Sequence, residues 1–364
     1  MANKRLRPIQ RLLRSASGPE LTWEAARSLL LRAHPSLNKV LKRHADGKPL
    51  EQYDMRVLSM IAHFTNDHDL YEAIIARFDE NLAAAAFHSP VERSAQQFIG
   101  SGLGTGSLNA YRRTIAFGGA AFEKIYFTEA DSCANMLYVH EALADILEGV
   151  GVPVPRLLGT VRGPKLTAAY FDLQTVTRIG PEDYEGLFAL VPRIMAVECP
   201  ETPAPPFFFF EVAKRPRVRK GYGRLAEDLR RADRRQADRI VRNLGTWMVW
   251  LADQRRVLAH GDLNLGNISG NGMILDWDSC GLLPFGYDLA CLACSAKYLQ
   301  HPDRFDEVTQ RFVAPLMQDE SDRIAYLFLS AIMLAGNSAI RSDPAYPALL
   351  LRLCTEVNDA LCPG

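Results

Sequence analysis

The sequence predicts an α+β fold of two lobes, a small lobe built on an antiparallel sheet with one helix and a larger helical lobe. Two patterns predict this order. Short β-like runs separated by glycine begin near residue 96, and the helical spacing of apolar residues returns after residue 176. Because helical spacing also precedes the small lobe, we expect a helical extension at 1–95, a small lobe at 96–176 and a large lobe at 177–364.

The extension is predicted to be helical because its apolar residues recur three and four positions apart, as do Val57, Leu58, Ile61 and Phe64. It carries no residue pattern that indicates chemistry. Its first 43 residues hold ten Lys or Arg and only two acidic residues. Peripheral contact of this basic N-terminus with an anionic membrane surface is therefore one hypothesis.

Three β-like runs open the small lobe, and the Gly118-Gly119 pair between the second and the third predicts a hairpin. A helix is expected at about 132–148, where glycine and then proline end the helical pattern. Two further strands are expected at 156–161 and 166–176. The small lobe thus has an antiparallel sheet with one helix inserted between its strands.

The large lobe begins with a predicted helix at 181–197 and a connection that is first rich in proline and then basic. One amphipathic helix is predicted over about 225–254, and further helices follow up to the C-terminus. Residues 211–242 hold twelve Lys or Arg and five acidic residues. This charge indicates either an anionic partner or a solvated helix face.

Composition is that of an ordinary globular protein, with 48% hydrophobic residues and a formal net charge of zero. Overall charge therefore indicates no partner, and no specific nucleic-acid motif occurs. The apolar runs are shorter than the roughly 20 residues of a membrane span, and no secretory signal is recognisable. The cysteines are scattered, and Cys291 and Cys294 fall in an apolar predicted helix, so we expect free thiols and a cytoplasmic protein.

The strongest chemical signal is HGDLNLGNI at 260–268, followed shortly by MILDWDS. It places Asp262, Asn267 and Asp276 on short loops between apolar runs. A carboxylate and an amide oxygen suit a hard divalent cation, and a second carboxylate can accept a proton from a hydroxyl group. Asp and Asn are also common in turns. The joint spacing, with Asp288 twelve residues after Asp276, favours the chemical interpretation.

The HxDxxxxN spacing, the later Asp and the following GLLPFGYDLA resemble the aminoglycoside phosphotransferase and choline kinase branch of the protein kinase-like superfamily. This resemblance implies a bilobal kinase-like fold. It implies that Asp262 is the catalytic base and that Asn267 and Asp276 hold Mg²⁺. It also implies that His260 and Asp288 brace the catalytic loop from behind.

A nucleotide site also needs a cation for the phosphates and a partner that holds this cation. Lys124 lies in the extended run AAFEKIYF, where a half-buried charge needs such a partner. Glu141 in the following helix is the predicted partner, with Asp145 and Glu148 as rivals. The resemblance supports Lys124 and Glu141 as nucleotide-binding residues.

Between the first two strands lies a glycine-rich stretch that contains Gly102, Gly104 and Gly106. Backbone N–H groups can approach phosphate oxygens closely where no Cβ intervenes, so we predict that this hairpin covers the nucleotide phosphates. A mobile turn is the alternative. Leu173 and Gln174 lie near the expected hinge, where the resemblance implies contact with the nucleotide base.

The resemblance covers about residues 96–300 and implies phosphoryl transfer from ATP or GTP, with Mg²⁺, to a hydroxyl group of a small molecule. An antibiotic, an amino alcohol and a sugar are candidate acceptors. The basic segment 214–242 favours an anionic acceptor, with a solvated helix face as the alternative. Gly261 stands where protein kinases carry Arg. The stretch between Asp276 and Asp288 is too short for a phosphorylation-controlled loop, so a regulated protein kinase is disfavoured.

Two alternatives belong to other functional classes. One is a kinase that acts on a protein or on a lipopolysaccharide-type glycan, which the basic N-terminus supports. The other is a catalytically silent pseudokinase that serves as a binding module. The presence of Lys124, Asp262, Asn267 and Asp276 argues against the second.

Overall fold

The structure is a computed structural model of the chain. It describes residues 2–16, 18, 21–83, 97–100, 107–116, 119–173, 184–200, 211–269, 272–295, 303–340, 343 and 345–362. The chain forms two compact units, the first of Met1–Ala134 with Pro155–Gln174 and the second of Asn135–Val154 with Thr175–Gly364. The N-terminal helices and the sheet thus share the first unit. The three-part division at residues 95 and 176 stays a prediction.

The extension is helical, as its spacing predicts. Its helices are α1 (Ala2–Ala16), α2 (Trp23–Ala33), α3 (Asn38–Ala45), α4 (Gln52–Thr65), α5 (His68–Phe78) and α6 (Glu80–Ala83). The basic helix α1 buries Leu6, Ile9 and Leu13 in the core of the first unit. Its apolar face is therefore already covered, and a membrane contact would depend on the arginine-bearing face alone.

The sheet of the first unit contains β1 (Gln97–Gly100), β2 (Ser107–Ala116), β3 (Gly119–Phe127), β4 (Leu157–Arg162) and β5 (Leu166–Asp172). Its strand order is β1-β2-β3-β5-β4, and all neighbouring strands run antiparallel. The predicted hairpin is present, because Ala116 of β2 pairs with Gly119 of β3. Between β3 and β4 lie α7 (Asp131–Tyr138), a π-helical turn (Val139–Leu143) and α8 (Ala144–Gly149).

A buried ionic cluster joins the helices of the extension to the sheet. Arg112 of β2 donates from Nε to Glu123 of β3 and from Nη1 to Glu72 of α5, the latter at 2.9 Å. The Tyr170 hydroxyl donates to Glu123 Oε1 at 3.0 Å. Arg112 and Glu123 are 2% and 1% exposed. Burial alone would lower the pKa of Arg112, but the adjacent Glu123 carboxylate raises it above its ordinary value.

A second polar anchor is Asp79, which is 2% exposed and follows α5. One carboxylate oxygen accepts the N–H groups of Lys165 and Leu166, both at 2.8 Å, and the other accepts Leu82 N–H at 3.1 Å. A Cβ at Gly163 would overlap this carboxylate, so any larger residue there would displace Asp79 from these contacts. The extension is therefore part of the core of the first unit rather than an appendage to it.

The second unit is mainly helical. Its further elements are α9 (Tyr184–Met195), α10 (Pro216–Ala232), α11 (Arg234–Val241), α12 (Leu244–Ala252), β6 (Arg256–Ala259), β7 (Gly281–Pro284), α13 (Tyr287–Ala293), α14 (Asp303–Val308), α15 (Glu320–Gly336) and α16 (Tyr346–Leu361). Strands β6 and β7 pair antiparallel. In the described part of the chain no helix is long and apolar enough to cross a membrane.

The prediction of one helix over 225–254 is wrong, because α10, α11 and α12 occupy this region. Asp233 has an extended backbone, and its side chain accepts Gln236 N–H at 3.0 Å, which caps the start of α11. The amphipathic period continues across this break. Spacing alone therefore did not reveal where the helix ends.

Candidate active site

The predicted catalytic loop leaves β6 at His260, which is fully buried. Gly261 has φ +80°, and a Cβ there would overlap the Ser279 carbonyl oxygen. An L side chain is disfavoured by this backbone conformation and has no room at this position. The glycine that stands where protein kinases carry Arg is thus required by the local fold.

Asp288, in the first turn of α13, contacts the loop that begins at His260. Its carboxylate accepts His260 N–H at 2.6 Å and Gly261 N–H at 3.0 Å. Asp288 is 3% exposed, and burial raises its pKa, while His260 and the two backbone donors act in the opposite direction. The carboxylate therefore fixes two successive peptide groups just before Asp262.

Asn267 is bound to the loop of Asp262. Its Nδ2 donates to the Asp262 carbonyl oxygen at 2.9 Å, and Asn264 Nδ2 donates to the same oxygen at 2.7 Å. Asn264 Oδ1 also accepts Gly266 N–H at 2.8 Å, which closes the turn. Because the amide nitrogen of Asn267 is a donor here, its side-chain oxygen is the atom suited to a cation.

The loop that carries Asp276 is tied to the catalytic loop. Leu275 N–H donates to Asn267 O at 2.7 Å, and His260 Nε2 lies 2.9 Å from Leu275 O. Asp276 itself has φ 61° and ψ 55°, a left-handed conformation that is uncommon outside glycine and often marks functional residues. Backbone contacts thus hold Asn267 and Asp276 on two joined loops.

The donor set fits Mg²⁺. Asp276 offers carboxylate oxygens and Asn267 an amide oxygen, which are hard ligands of the kind that Mg²⁺ prefers. Among the residues that the structure describes, no group of three or more His, Cys, Asp or Glu side chains forms a metal cluster. Magnesium in phosphoryl-transfer sites is bound by one or two protein ligands together with phosphates and water, so this small set is sufficient.

Two residues that hold the Asp276 loop were missed by sequence reasoning. Asn135 of α7 donates from Nδ2 to the carbonyl oxygens of Asp278 at 3.0 Å and Cys280 at 2.8 Å. Arg215, which is fully buried just before α10, donates to the carbonyl oxygen of Ser279 and to that of Cys280. Both come from segments distant in sequence, and no local pattern distinguishes them.

Arg217 was also missed. It lies in the first turn of α10, and its Nη2 donates to Asp262 Oδ1. Burial alone would lower the pKa of Arg217, but Cys291, Asp262 and Tyr287 around it raise this pKa above its ordinary value. The predicted catalytic carboxylate is thus paired with an arginine of the basic segment.

The predicted nucleotide-binding residues are only partly described. Lys124 on β3 is 6% exposed, and its Nζ lies 5.5 Å from the Tyr111 ring centre and 5.1 Å from that of Tyr126. Such cation–π contacts stabilise a buried ammonium group. Leu173 directly follows β5. The remaining predicted residues Gly102, Gly104, Gly106 and Gln174 lie outside the described residues.

Glu141 lies in the π-helical turn and is exposed. Single π-turns inside helices are frequent at functional sites. Lys124 belongs to the first unit and Glu141 to the second, so their predicted pairing stays a prediction.

The comparisons with known proteins agree with the resemblance found in the sequence. The sequence model of the APH phosphotransferase enzyme family matches residues 100–326, which is more than half of the chain. No curated protein sequence matches significantly.

Similar solved structures include three kinases. A spectinomycin phosphotransferase in complex with ADP and spectinomycin is 15% identical, with a TM-score of 0.40 over 72% of this chain and 93% of that one. A microcompartment-associated aminopropanol kinase is 16% identical, with a TM-score of 0.47 over 76% and 95%. A choline kinase of Cryptosporidium parvum is 11% identical, with a TM-score of 0.40 over 82% and 97%.

Proposed function

Since the chain belongs to the phosphotransferase enzyme family, we propose that it transfers the γ-phosphoryl group of ATP or GTP, with Mg²⁺, to a hydroxyl group of a small molecule. Family membership establishes a kinase with an alcohol acceptor and a nucleotide as donor. The choice between ATP and GTP, the metal and the acceptor belong to the proposal.

The observation that carries the proposal is the rigid frame around Asp262. The Asp288 carboxylate binds the two peptide groups before Asp262, and Asn267 binds its carbonyl oxygen. Phosphoryl transfer depends chiefly on positioning and electrostatics rather than on covalent chemistry. A loop whose shape is fixed by buried polar contacts meets that requirement.

In the proposed reaction Asp262 orients the acceptor hydroxyl and accepts its proton. The hydroxyl oxygen forms a bond to the γ-phosphorus, while the bond from this phosphorus to the oxygen that bridges it to the β-phosphate breaks. Arg217 occupies one oxygen of the carboxylate. A carboxylate offers several lone pairs on its two oxygens, so Asp262 can accept a second hydrogen bond from the substrate.

The other predicted residues would serve the nucleotide. Asn267 and Asp276 would hold Mg²⁺, which neutralises phosphate charge when bound. The Lys124 ammonium group would bind the α- and β-phosphates, with Glu141 as its predicted partner. The glycine-rich stretch and the hinge residues Leu173 and Gln174 would contact phosphate and base, respectively.

Other predictions stay open to experiment. The alternatives of a protein or glycan kinase and of a pseudokinase remain hypotheses, as do the cytoplasmic location and the membrane contact of the N-terminus. The membrane hypothesis depends on the positive charge of α1, because its apolar residues Leu6, Ile9 and Leu13 pack inside the first unit.

Calorimetric titration of ATP and GTP, with and without Mg²⁺, tests the proposal directly. We expect Mg²⁺-dependent binding in the wild type and its loss in Asp276→Ala, because the carboxylate ligand is gone. Asp278→Ala is the matched control on the same loop and should retain binding. Asp262→Asn should bind nucleotide normally but lose most phosphoryl transfer, by about a hundredfold or more. Equal Mg²⁺-dependent binding in Asp276→Ala and the wild type would contradict the metal assignment.

A further inference from the structure

The start of α10 contacts both loops of the proposed active site. Arg215, which is fully buried just before the helix, donates to two carbonyl oxygens of the loop that carries Asp276. Arg217, in the first turn of the helix, donates from Nη2 to Asp262 Oδ1 on the other loop. Each of the first two arginines of the basic segment 214–242 thus binds one of the loops that the proposed reaction uses.

Helix α10 is itself fixed to its neighbours, so its first turn has a defined position. Val218 in that turn is 1% exposed. A Cβ at Gly221 would overlap the carbonyl oxygen of Ile332, which shows how closely α10 packs against α15. Further along the helix, Asp228 Oδ2 accepts a hydrogen bond from the hydroxyl group of Tyr346 of α16 at 3.0 Å. The guanidinium group that reaches the predicted catalytic carboxylate is therefore presented from a rigid element.

The two oxygens of the Asp262 carboxylate differ in their surroundings. Oδ1 accepts a hydrogen bond from Arg217, whereas Oδ2 lies 3.5 Å from Asn267 Nδ2, at the limit of a hydrogen bond. The Asp262 side chain is 37% exposed, so a substrate can reach it. The terminal torsion of an aspartate side chain has a broad range of angles, and a cation held at one oxygen narrows that range. Oδ2 is thus the oxygen to which an acceptor hydroxyl group can donate.

We propose that Arg217 is a positioning residue of the reaction, which fixes the Asp262 carboxylate so that Oδ2 faces the acceptor hydroxyl group. This inference rests on the proposed function and adds a residue to it. The hydroxyl proton passes to Oδ2, while the hydroxyl oxygen bonds to the γ-phosphorus and the bond to the bridging oxygen breaks. Phosphoryl transfer depends on such orientation more than on covalent chemistry. Arg217 touches none of the reacting atoms and acts through Asp262.

The exposure of this ion pair distinguishes the positioning role from a structural one. The side chains of Arg217 and Asp262 are 38% and 37% exposed. An ion pair this accessible to water adds little to folding stability. Loss of Arg217 should therefore lower the rate of phosphoryl transfer and hardly change urea unfolding. A residue that merely held α10 or the loop in place would alter both.

The variant Arg217→Ala tests this role. Release of the nucleoside diphosphate is measured with Mg²⁺ and saturating nucleotide, with choline, aminopropanol, spectinomycin or glycerol as the acceptor, and with water when none of these is added. We expect kcat to fall about tenfold or more, as the loss of one charge-assisted contact predicts, while KM for the nucleotide changes little. Arg219→Ala is the matched control, because Arg219 is an exposed neighbour on α10, and it should keep the wild-type kcat.

A double-variant cycle shows whether Arg217 acts through Asp262. Arg217→Ala is introduced into the wild type and into Asp262→Asn, and the factor by which kcat falls is compared between the two. Because a positioning residue has nothing to position once the carboxylate is gone, we expect little further loss in Asp262→Asn. A structural role would lower kcat by the same factor in both backgrounds.

The possible results distinguish failure of this inference from failure of the proposed function. A loss of kcat in Arg217→Ala that largely disappears in the Asp262→Asn background, at an unchanged urea midpoint, supports the inference. An unchanged or higher kcat in Arg217→Ala, or equal losses in both backgrounds, overturns the inference and leaves the proposed function intact. Absence of nucleotide turnover by the wild type with every acceptor, water included, contradicts the proposed function and the inference with it.

Discussion

The two units use buried polar side chains in different ways. In the first unit Arg112 and Glu123 bind each other, and with Glu72 they join the helices of the extension to the sheet. In the second unit Asp288, Asn135 and Arg215 bind backbone groups of the predicted catalytic loop and of the loop that carries Asp276. The contacts of Arg112, and those of Asp79 with the N–H groups of Lys165 and Leu166, connect whole elements of the first unit. The backbone contacts of Asp288, Asn135 and Arg215 instead fix the shape of loops. Mutation of these particular residues should therefore impair stability in the first unit and chemistry in the second.

The largest expected effect is on stability. In Arg112→Met the Glu123 carboxylate stays buried without its cation, and we expect the free energy of unfolding to fall by about 3–5 kcal/mol. Phosphoryl transfer per folded molecule should change little, because this cluster faces the helices of the extension. Urea unfolding measures the first quantity, and initial rates at low temperature measure the second.

Two controls test the origin of this effect. The double variant Arg112→Met with Glu123→Met removes both charges and should recover most of the lost stability. Arg230→Gln breaks the exposed pair with Asp238 and should cost less than about 1 kcal/mol. If the double variant loses as much stability as Arg112→Met alone, the ionic contact is not what attaches the extension to the sheet.

The second prediction concerns the catalytic loop. Gly261→Ala forces a Cβ against the Ser279 carbonyl oxygen, so either the predicted catalytic loop or the loop that carries Asp276 must move. A displacement of this kind should lower phosphoryl transfer by about a hundredfold, since catalysis is sensitive to shifts near 1 Å. The measurement is kcat at saturating nucleotide and acceptor.

Gly272→Ala is the matched control, because Gly272 has the same φ of +80° but open space around its Cβ position. It should cost about 1–2 kcal/mol of stability from backbone strain and leave kcat largely unchanged. Equal losses of kcat in both variants would indicate that strain, rather than the collision with Ser279, limits the reaction.

The separation of two contacting residues along the chain determines whether the sequence could predict their contact. The contacts of His260, Asp262 and Asn267 are local, so their spacing was enough to indicate one loop. The resemblance likewise indicated Asp276 and Asp288 at fixed distances along the chain. Arg217 reaches Asp262 from 45 residues upstream, and Arg215 reaches Ser279 from 64 residues upstream. Spacing within a motif cannot reveal such contacts.

Prediction of the fold was limited in the same way, because the sequence revealed local elements but not contacts between distant segments. Helical and strand spacing predicted the order of elements, and the antiparallel sheet and larger helical region agree with the bilobal fold class. The extension carries no recognisable motif, so its role in the core of the first unit became visible only through Arg112 and Asp79. The break at Asp233 was missed because a cap residue is polar and fits a solvent-facing helical position equally well.

The smallest expected effect is the pH dependence of stability that His63 gives the first unit. His63 of α4 lies in the first unit, where burial, assisted by Arg14, lowers its pKa to about 4. The unfolded chain has the ordinary value near 6.5, so it takes up a proton at a pH at which the folded protein does not. Stability is therefore complete above about pH 6.5 and falls as the pH decreases towards 4. Urea unfolding at pH 7 and pH 5 should show a loss of about 1–2 kcal/mol from this group.

His63→Gln should reduce this pH dependence, because glutamine does not titrate. Burial also lowers the pKa of His44 and His68, so part of the acid sensitivity of the first unit should persist in the variant. Native-state hydrogen exchange at pH 5 should then show faster opening of α4 and its neighbours than of α13 and α15. Uniform opening of both units at pH 5 would mean that they unfold together. The buried contacts of the first unit would then determine stability no more than those of the second.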